Sequence, residues 1–212
     1  MAQQSGILYP ISGRIGDKIY CNLNGKTYIR SLAKKSGKAP SEKQLIQRAK
    51  FSLVSGFLFP LIRVINESYR KINPKKIGMK MVFGPIYSDA IRGEYPDFEL
   101  DYSRITLIRG NLQRPYCSMN YVAGTNELDF SWIVANPGYE DGGDVLWPLI
   151  HCSALNEFWY ELDSGIRRDD EFCTIRIPQL FIGHEIQVWL AYRSANGKAF
   201  SDSSYIGKVF TH

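Results

Sequence analysis

The alternation of apolar and polar residues near the start of the chain predicts a β-hairpin. Two β-rich runs flank Asn24-Gly25, and both residues of this dipeptide tolerate the positive φ of a two-residue hairpin turn. A loop of that length pairs Leu23 with Lys26, Cys21 with Tyr28, Tyr20 with Ile29, and Ile19 with Arg30. Apolar side chains therefore occur on both faces of the hairpin, which has to dock on something to be stable.

Helical periodicity follows a basic linker at residues 32–40. Ser41 and Gln44 have the spacing of an N-terminal capping box, and apolar residues then recur three or four positions apart. Pro60 has no backbone donor, so it is expected to break this helix and leave a second helical segment at 61–72. A weaker helix is expected at 79–92, where Gly84-Pro85 interrupts the pattern.

From Leu100 onward the pattern changes to short β-runs, which predicts a two-sheet sandwich. Seven runs stand at regular spacing, at residues 104–109, 127–134, 144–152, 157–162, 171–177, 185–193 and 204–210. Within the 185–193 run, alternation places Ile186, Val188, Leu190 and Tyr192 on one face. The expected fold is mixed α and β, mostly β, with a hairpin and helices in residues 1–96 and a sandwich in residues 97–212.

The distribution of charge divides the chain near the same point. Residues 1–95 hold 17 Lys and Arg against 5 Asp and Glu, whereas residues 96–212 hold 9 against 16. Two halves of opposite sign suggest two modules and an electric field that orients one molecule against another.

The C-terminal part resembles a fibronectin type III domain. The run from Val188 to Lys198, followed by the run from Ser201 to Ser204, is similar to the last two strands of that family. Trp132, on an early strand, fits the family's core tryptophan. This resemblance implies a fibronectin-III or immunoglobulin-like β-sandwich.

A second resemblance covers nearly the whole chain. It is carried by Gly13-Arg14-Ile15-Gly16, by the runs at 24–31 and 95–103, and by a helix start with Ser41, Gln44 and Arg48. This combination resembles a multi-copy family of uncharacterised proteins in Bacteroidota genomes, and its N-terminal part is similar to segments of some phage proteins. The resemblance implies a fold and no activity, so no functional residue is carried over.

No set of residues indicates catalysis or a cofactor. His151, His184 and His212 have no metal-binding spacing, and the neighbours His151 and Cys152 point to opposite faces of a predicted strand. The acidic group at 163–171 lacks the spacing of a calcium loop. We therefore expect a protein that is not an enzyme, with no cofactor and no metal site.

The four cysteines have long, irregular spacings and no C-x-x-C pair, which argues against a zinc site. Cys152 and Cys173 are either reduced thiols or a disulfide between two strands. Tryptophans Trp147, Trp159 and Trp189 are expected to pack between modules, with a sugar-binding platform as the other interpretation.

Self-assembly is the function that the N-terminal pattern favours. Unpaired strand edges with apolar faces recruit partners unless they are covered. The candidate interface combines the apolar run before the hairpin with the hairpin itself, namely Ile7, Leu8, Tyr9, Ile19, Tyr20, Leu23, Tyr28 and Ile29. The partner is a copy of the chain or another protein, and the hairpin docks either within its own chain or on a neighbour.

Nucleic-acid binding is the alternative function. Basic residues interleaved with aromatic ones can contact phosphates while bases stack on the rings. The candidates are Arg14, Lys18, Lys26, Arg30, Lys34, Lys35 and Lys38.

The sequence also predicts where the protein acts. Its first residues lack the basic start and apolar stretch of a signal peptide, and no apolar run approaches the length of a spanning helix. We expect a cytoplasmic protein without a membrane span. A virion or phage-like component and leaderless export stay open.

Overall fold

The structure of the protein is a computed structural model that describes residues 2–3, 12–23, 25–33, 37–72, 78–134 and 143–212. The chain divides into two compact units, Met1–Ser41 and Glu42–His212. We call them the N-terminal unit and the main unit. The fold is mixed α and β, mostly β, as the sequence predicts.

The N-terminal unit is a four-stranded sheet built on the predicted hairpin. Its strands are β1 (Ala2–Gln3), β2 (Gly13–Ile15), β3 (Lys18–Leu23) and β4 (Lys26–Ser31), in the order β1-β4-β3-β2. Strands β3 and β4 pair in the predicted register, from Lys18 opposite Ser31 to Leu23 opposite Lys26. Gly25 adopts a φ of 76° after β3, the left-handed region that a hairpin turn requires.

The outer strands of this sheet were not predicted. Strand β2 folds back on β3 through a turn in which Gly16 has a φ of 61°, and β1 pairs with β4 on the other side. Within the described residues, β2 pairs with β3 from Lys18 to Tyr20 and β1 pairs with β4 at Tyr28 and Ile29, so each strand of the hairpin has a partner along part of its outer edge.

Three helices begin the main unit, at α1 (Glu42–Leu58), α2 (Ile62–Ile72) and α3 (Gly78–Asp89). Helix α1 starts directly after Ser41, and one turn of 3₁₀ helix at Phe59–Leu61 joins α1 to α2, so the helical stretch changes type at Pro60 without ending there. Helix α3 continues through Pro85, because Val82 and Ile86 are buried on either side of it. Core packing here outweighs the unfavourable helix propensity of proline.

The continuous helical stretch Glu42–Tyr69 is long and apolar enough to cross a membrane by length and composition alone. A core helix passes the same test, and Val54, Leu58, Leu61 and Ile65 of this stretch are buried inside the main unit.

The β-strands of the main unit form the two sheets of a β-sandwich. The strands are β7 (Cys117–Val122), β8 (Glu127–Trp132), β9 (Val145–Cys152), β10 (Glu157–Tyr160), β11 (Phe172–Arg176), β12 (Glu185–Arg193) and β13 (Ser204–Phe210). One sheet has the order β10-β9-β12-β13 and the other has the order β11-β8-β7. Six of the seven predicted β-runs coincide with these strands.

The seventh prediction, a strand at 104–109, is wrong. Residues Ile105, Leu107 and Ile108 are buried as an extended segment without a strand partner, and the Ser203 hydroxyl accepts hydrogen bonds from the amides of Leu107 and Ile108 at 2.9 and 3.3 Å. The first strand of the sandwich is instead β7, in which Ser118 and Asn120 alternate with Cys117, Met119 and Tyr121 and which was not predicted.

In the sandwich, the sheet β10-β9-β12-β13 is covered on both of its faces. On β12, Ile186, Val188, Leu190 and Tyr192 face the three-stranded sheet, as predicted, while Trp189 and Ala191 face the helices. Phe57 of α1 packs on Trp189 with ring centroids 6.3 Å apart. The main unit therefore has three layers, helices on one sheet and that sheet on the other.

The main unit includes the helices, so the compact units divide at Ser41 rather than at residue 96. The turn-forming residues at 94–97 lie in the loop of a small hairpin between β5 (Ile91–Arg92) and β6 (Glu99–Leu100). Gly93 enters that loop with a φ of 81°, and a Cβ at this position would lie 2.4 Å from the Asp97 carbonyl oxygen. Turn residues mark a hairpin here, inside one unit.

Candidate assembly interface

The described strands of the N-terminal unit form a sheet in which no side chain of described exposure is fully buried. All of its residues whose exposure the structure describes, from residue 12 to residue 41, are exposed or half-buried. Leu23 is 64% exposed and Ile15 is 58% exposed. A sheet normally needs an apolar layer packed against at least one of its faces to be stable. The exposed apolar side chains of this sheet are therefore candidates for burial against another surface.

The register of the sheet sorts the predicted interface residues onto two faces. Directly paired residues share a face, and alternate residues along a strand lie on the same side. One face carries Ile19, Cys21, Leu23 and Tyr28, and the opposite face carries Ile15, Tyr20 and Ile29. The predicted register already placed Tyr20 and Ile29 on the face opposite the Cys21–Tyr28 pair, and the structure has the same division.

Three of the four basic residues on the described strands lie on the first of these faces. Arg14 and Arg30 stand on either side of Ile19, on β2 and β4, and Lys26 stands beside Leu23 at the other end. We call this set the basic face: Arg14, Ile19, Cys21, Leu23, Lys26, Tyr28 and Arg30. An apolar centre with a charged rim is the usual anatomy of a protein–protein interface.

Some predicted residues fall elsewhere. Lys18 is on the opposite face, next to Ile15. Lys38 is exposed after the sheet. The residues Ile7, Leu8, Tyr9, Lys34 and Lys35 lie outside the described residues. Cys21 was not predicted as an interface residue, although its pairing with Tyr28 could have placed it there.

A hollow of about 820 Å³ lies in the main unit between the edges of β7 and β13. Its arginines, Arg104 and Arg114, form salt bridges with Asp101 and Asp202. Among the residues that the structure describes, no histidine or carboxylate lines it, and burial raises the pKa of the Cys117 thiol to about 12, which disfavours the thiolate.

His151 is buried in an aromatic environment between the helices and the four-stranded sheet. Its ring lies 4.4 Å from that of Phe158 and 5.0 Å from that of Phe57. Burial lowers the pKa of His151 to about 4, against a smaller raising effect of Asn156. The neighbouring Cys152 lies in the core between the two sheets, so the divergence of these two side chains is confirmed.

A buried ion pair joins two loops of the sandwich. Arg168 Nη2 lies 3.0 Å from Asp144 Oδ2, and the Arg168 guanidinium lies 4.3 Å from the centre of the Tyr192 ring. The same nitrogen donates to the Gln113 carbonyl. These contacts give the pair a structural role.

All four cysteines are free thiols, so the disulfide between Cys152 and Cys173 is not formed. Trp147 and Trp189 are buried in the core between the helices and the sheet, which confirms that these two tryptophans have a packing role. Neither ring is therefore exposed to form part of a sugar-binding platform. Within the described ranges, no group of three or more His, Cys, Asp or Glu side chains could hold a metal ion.

Comparison with known proteins gives one match. A family described as a family of unknown function, DUF6266, matches residues 10–207. No curated protein and no solved structure matches the chain.

Proposed function

The chain belongs to the DUF6266 family, and we propose that it is a non-enzymatic structural or interaction protein that assembles through its N-terminal sheet. The observation that carries this proposal is the basic face, an apolar centre with a cationic rim on a sheet in which no residue of described exposure is fully buried. A copy of the chain is the preferred partner and another protein is the second choice.

The proposal is tested by the mass of the full chain in solution. Multi-angle light scattering should give a mass that rises with concentration above the 24.2 kDa of one chain. Leu23→Asp puts a charge into the centre of the basic face. A leucine side chain that becomes buried on assembly contributes about 1.5–3 kcal/mol, so its loss should weaken assembly at least about tenfold.

Asn22→Asp is the matched control. Asn22 is the exposed neighbour of Leu23 on β3, and it faces the other side of the sheet. The two substitutions add the same charge. An equal effect of both, or a wild-type chain that stays monomeric at every concentration, would overturn the proposal.

Nucleic-acid binding is the second candidate, and the arrangement of Arg14, Tyr28 and Arg30 on one face favours it. Two guanidinium groups can bind phosphates while a base stacks on the tyrosine ring. A monomer that retards labelled single-stranded DNA, and loses this activity with Arg14→Ala plus Arg30→Ala or with moderate salt, would favour this candidate over assembly.

We also propose that the sandwich is of the fibronectin type III kind. Support comes from the division into three and four strands and from the buried Trp132, whose indole nitrogen donates to the Arg168 carbonyl at 2.6 Å. An experimental structure that superposes on fibronectin domains strand by strand would test this.

The proposed setting is the cytoplasm, either of a bacterium of the Bacteroidota with several copies of the gene or of a cell producing phage. Four free thiols fit a reducing compartment. Negative-stain images of the purified protein test the phage-like version, which requires discrete particles or fibres.

A further inference from the structure

We propose that the free edge of β10 in the main unit is the surface on which the basic face of a second copy docks. This inference rests on the proposed function and names the partner surface that self-assembly needs. It starts from the charge of the N-terminal unit, whose 41 residues contain seven Lys and Arg and a single acidic residue, Asp17.

Strand β10 is the sandwich edge with carboxylates at both ends. Glu157 begins the strand, and Glu161 follows it, with its amide donating to the Pro148 carbonyl across the sheet. Both residues are exposed, and in the part of the chain that the structure describes neither belongs to a salt bridge. Two uncompensated anions at a free edge form a surface that attracts a cationic partner.

The other edges of the sandwich offer less to a basic partner. Strand β13 has a register shift against β12 and a lysine, Lys208, that pairs with Glu185. Strand β11 ends in Arg176, and β7 has no charged residue. Strand β10 is therefore the edge with carboxylates at both ends and no cation between them.

The spacing of charges on the two surfaces is the same. On the basic face, β4 presents Lys26, Tyr28 and Arg30 at alternate positions. Along the acceptor edge, Glu157, Trp159 and Glu161 stand at alternate positions. Four residues of extended chain span about 13 Å, so each cation can face a carboxylate while the two aromatic rings meet between them.

A hollow beside Trp159 provides room for the incoming ring. Its volume is about 500 Å³, and Ile177 and Pro178 form part of its wall. Arg176 also lines it, so an aromatic ring, on which a guanidinium can stack, is better suited to this hollow than a cation is. An aromatic side chain inserted in such a pocket, surrounded by rim charges, is the arrangement that concentrates binding energy in protein interfaces.

Charge reversal and its rescue test the inference. Glu157→Lys plus Glu161→Lys should raise the concentration needed for assembly at least about tenfold, because like charges then face each other. Lys26→Glu plus Arg30→Glu should do the same. An equimolar mixture of the two double variants should assemble again, since each then offers the other a complementary surface.

The matched control is Glu94→Lys plus Glu99→Lys, which changes the net charge equally at two exposed residues of the β5–β6 hairpin and should leave assembly unchanged. If the wild type assembles and the β10 variant assembles equally well, the acceptor edge is wrong while the proposed function stands. If the wild type stays monomeric, both fail. A mixture that does not assemble also overturns the inference, provided that each variant keeps the wild-type circular dichroism spectrum.

Discussion

The N-terminal sheet and the sandwich are made of similar strands and use them differently. In the sandwich, strand β12 is buried on both faces from Ile186 to Tyr192, between helices on one side and a second sheet on the other. In the N-terminal sheet, the described part of the hairpin has no buried residue. The first arrangement is stable by itself, whereas the second leaves apolar surface available for a partner.

The largest expected effect comes from cutting the chain. Residues 42–212 should unfold cooperatively at the melting temperature of the full chain, because they contain both core clusters. Residues 97–212 lack the helices and would expose Trp147, Leu149 and Trp189, so we expect aggregation or no cooperative transition. The change of sequence pattern near residue 96 predicts that this shorter fragment folds, and differential scanning calorimetry of both fragments decides between the two expectations.

A single truncation in the layer between helices and sheet should also be severe. Phe57→Ala removes a ring that packs on Tyr102, His151, Phe158 and Trp189, and should cost about 3–5 kcal/mol of unfolding free energy. Tyr28→Ala in the N-terminal sheet removes a ring of similar size and should cost about 1 kcal/mol or less. Urea unfolding of both variants measures the contrast, which would vanish if the N-terminal sheet had a core.

Acid should weaken the main unit through His151. The pKa of this residue is about 4 in the folded chain against about 6.5 when unfolded, so the unfolded state binds more protons between these values. The contribution of the neutral His151 to the free energy of unfolding is therefore fully present above about pH 6.5. It is lost as the pH falls toward 4, by up to about 3 kcal/mol. His151→Phe should flatten this slope in urea unfolding at a series of pH values, and His184→Phe, at a half-buried site, should retain it.

The smallest effects should have opposite signs in the two units. Gly56→Ala in helix α1 adds a methyl group that meets no atom within 4 Å, and it should stabilise the main unit by about 0.5–1 kcal/mol. Gly25→Ala forces a residue with a Cβ into a φ of 76°, and it should weaken the hairpin by about 1–2 kcal/mol. Amide hydrogen exchange in α1 and in β3 reports the two changes separately, and equal signs would contradict the backbone argument.

Local signals in the sequence predicted the elements that depend on neighbouring residues. Asn24-Gly25 set the register of the hairpin, and alternation along residues 185–193 identified both faces of β12. The segment at 104–109 was wrongly predicted to be a strand because its apolar residues are buried without a strand partner. The amides of Leu107 and Ile108 donate to the hydroxyl of Ser203, which is 95 positions away from Ile108. Contacts at that separation leave no local pattern.

The sequence identified the residues of the candidate site without grouping the apolar and the basic ones into one surface. Apolar and basic positions were identified separately, as two competing functions. The predicted register already pairs Leu23 with Lys26 and Ile19 with Arg30, and only Arg14 depends on β2, whose pairing brings it beside Ile19. No strand was predicted at 13–15, because a strand of three residues that begins with a glycine is too short for alternation to show.

The double burial of β12 has a consequence for how the chain can vary. An ordinary surface strand accepts polar replacements at every second position, since half of its side chains meet water. Along β12, every residue from Ile186 to Tyr192 is enclosed, Gln187 included. This strand should therefore diverge slowly at consecutive positions, while the N-terminal hairpin is free to change sequence together with whatever it binds.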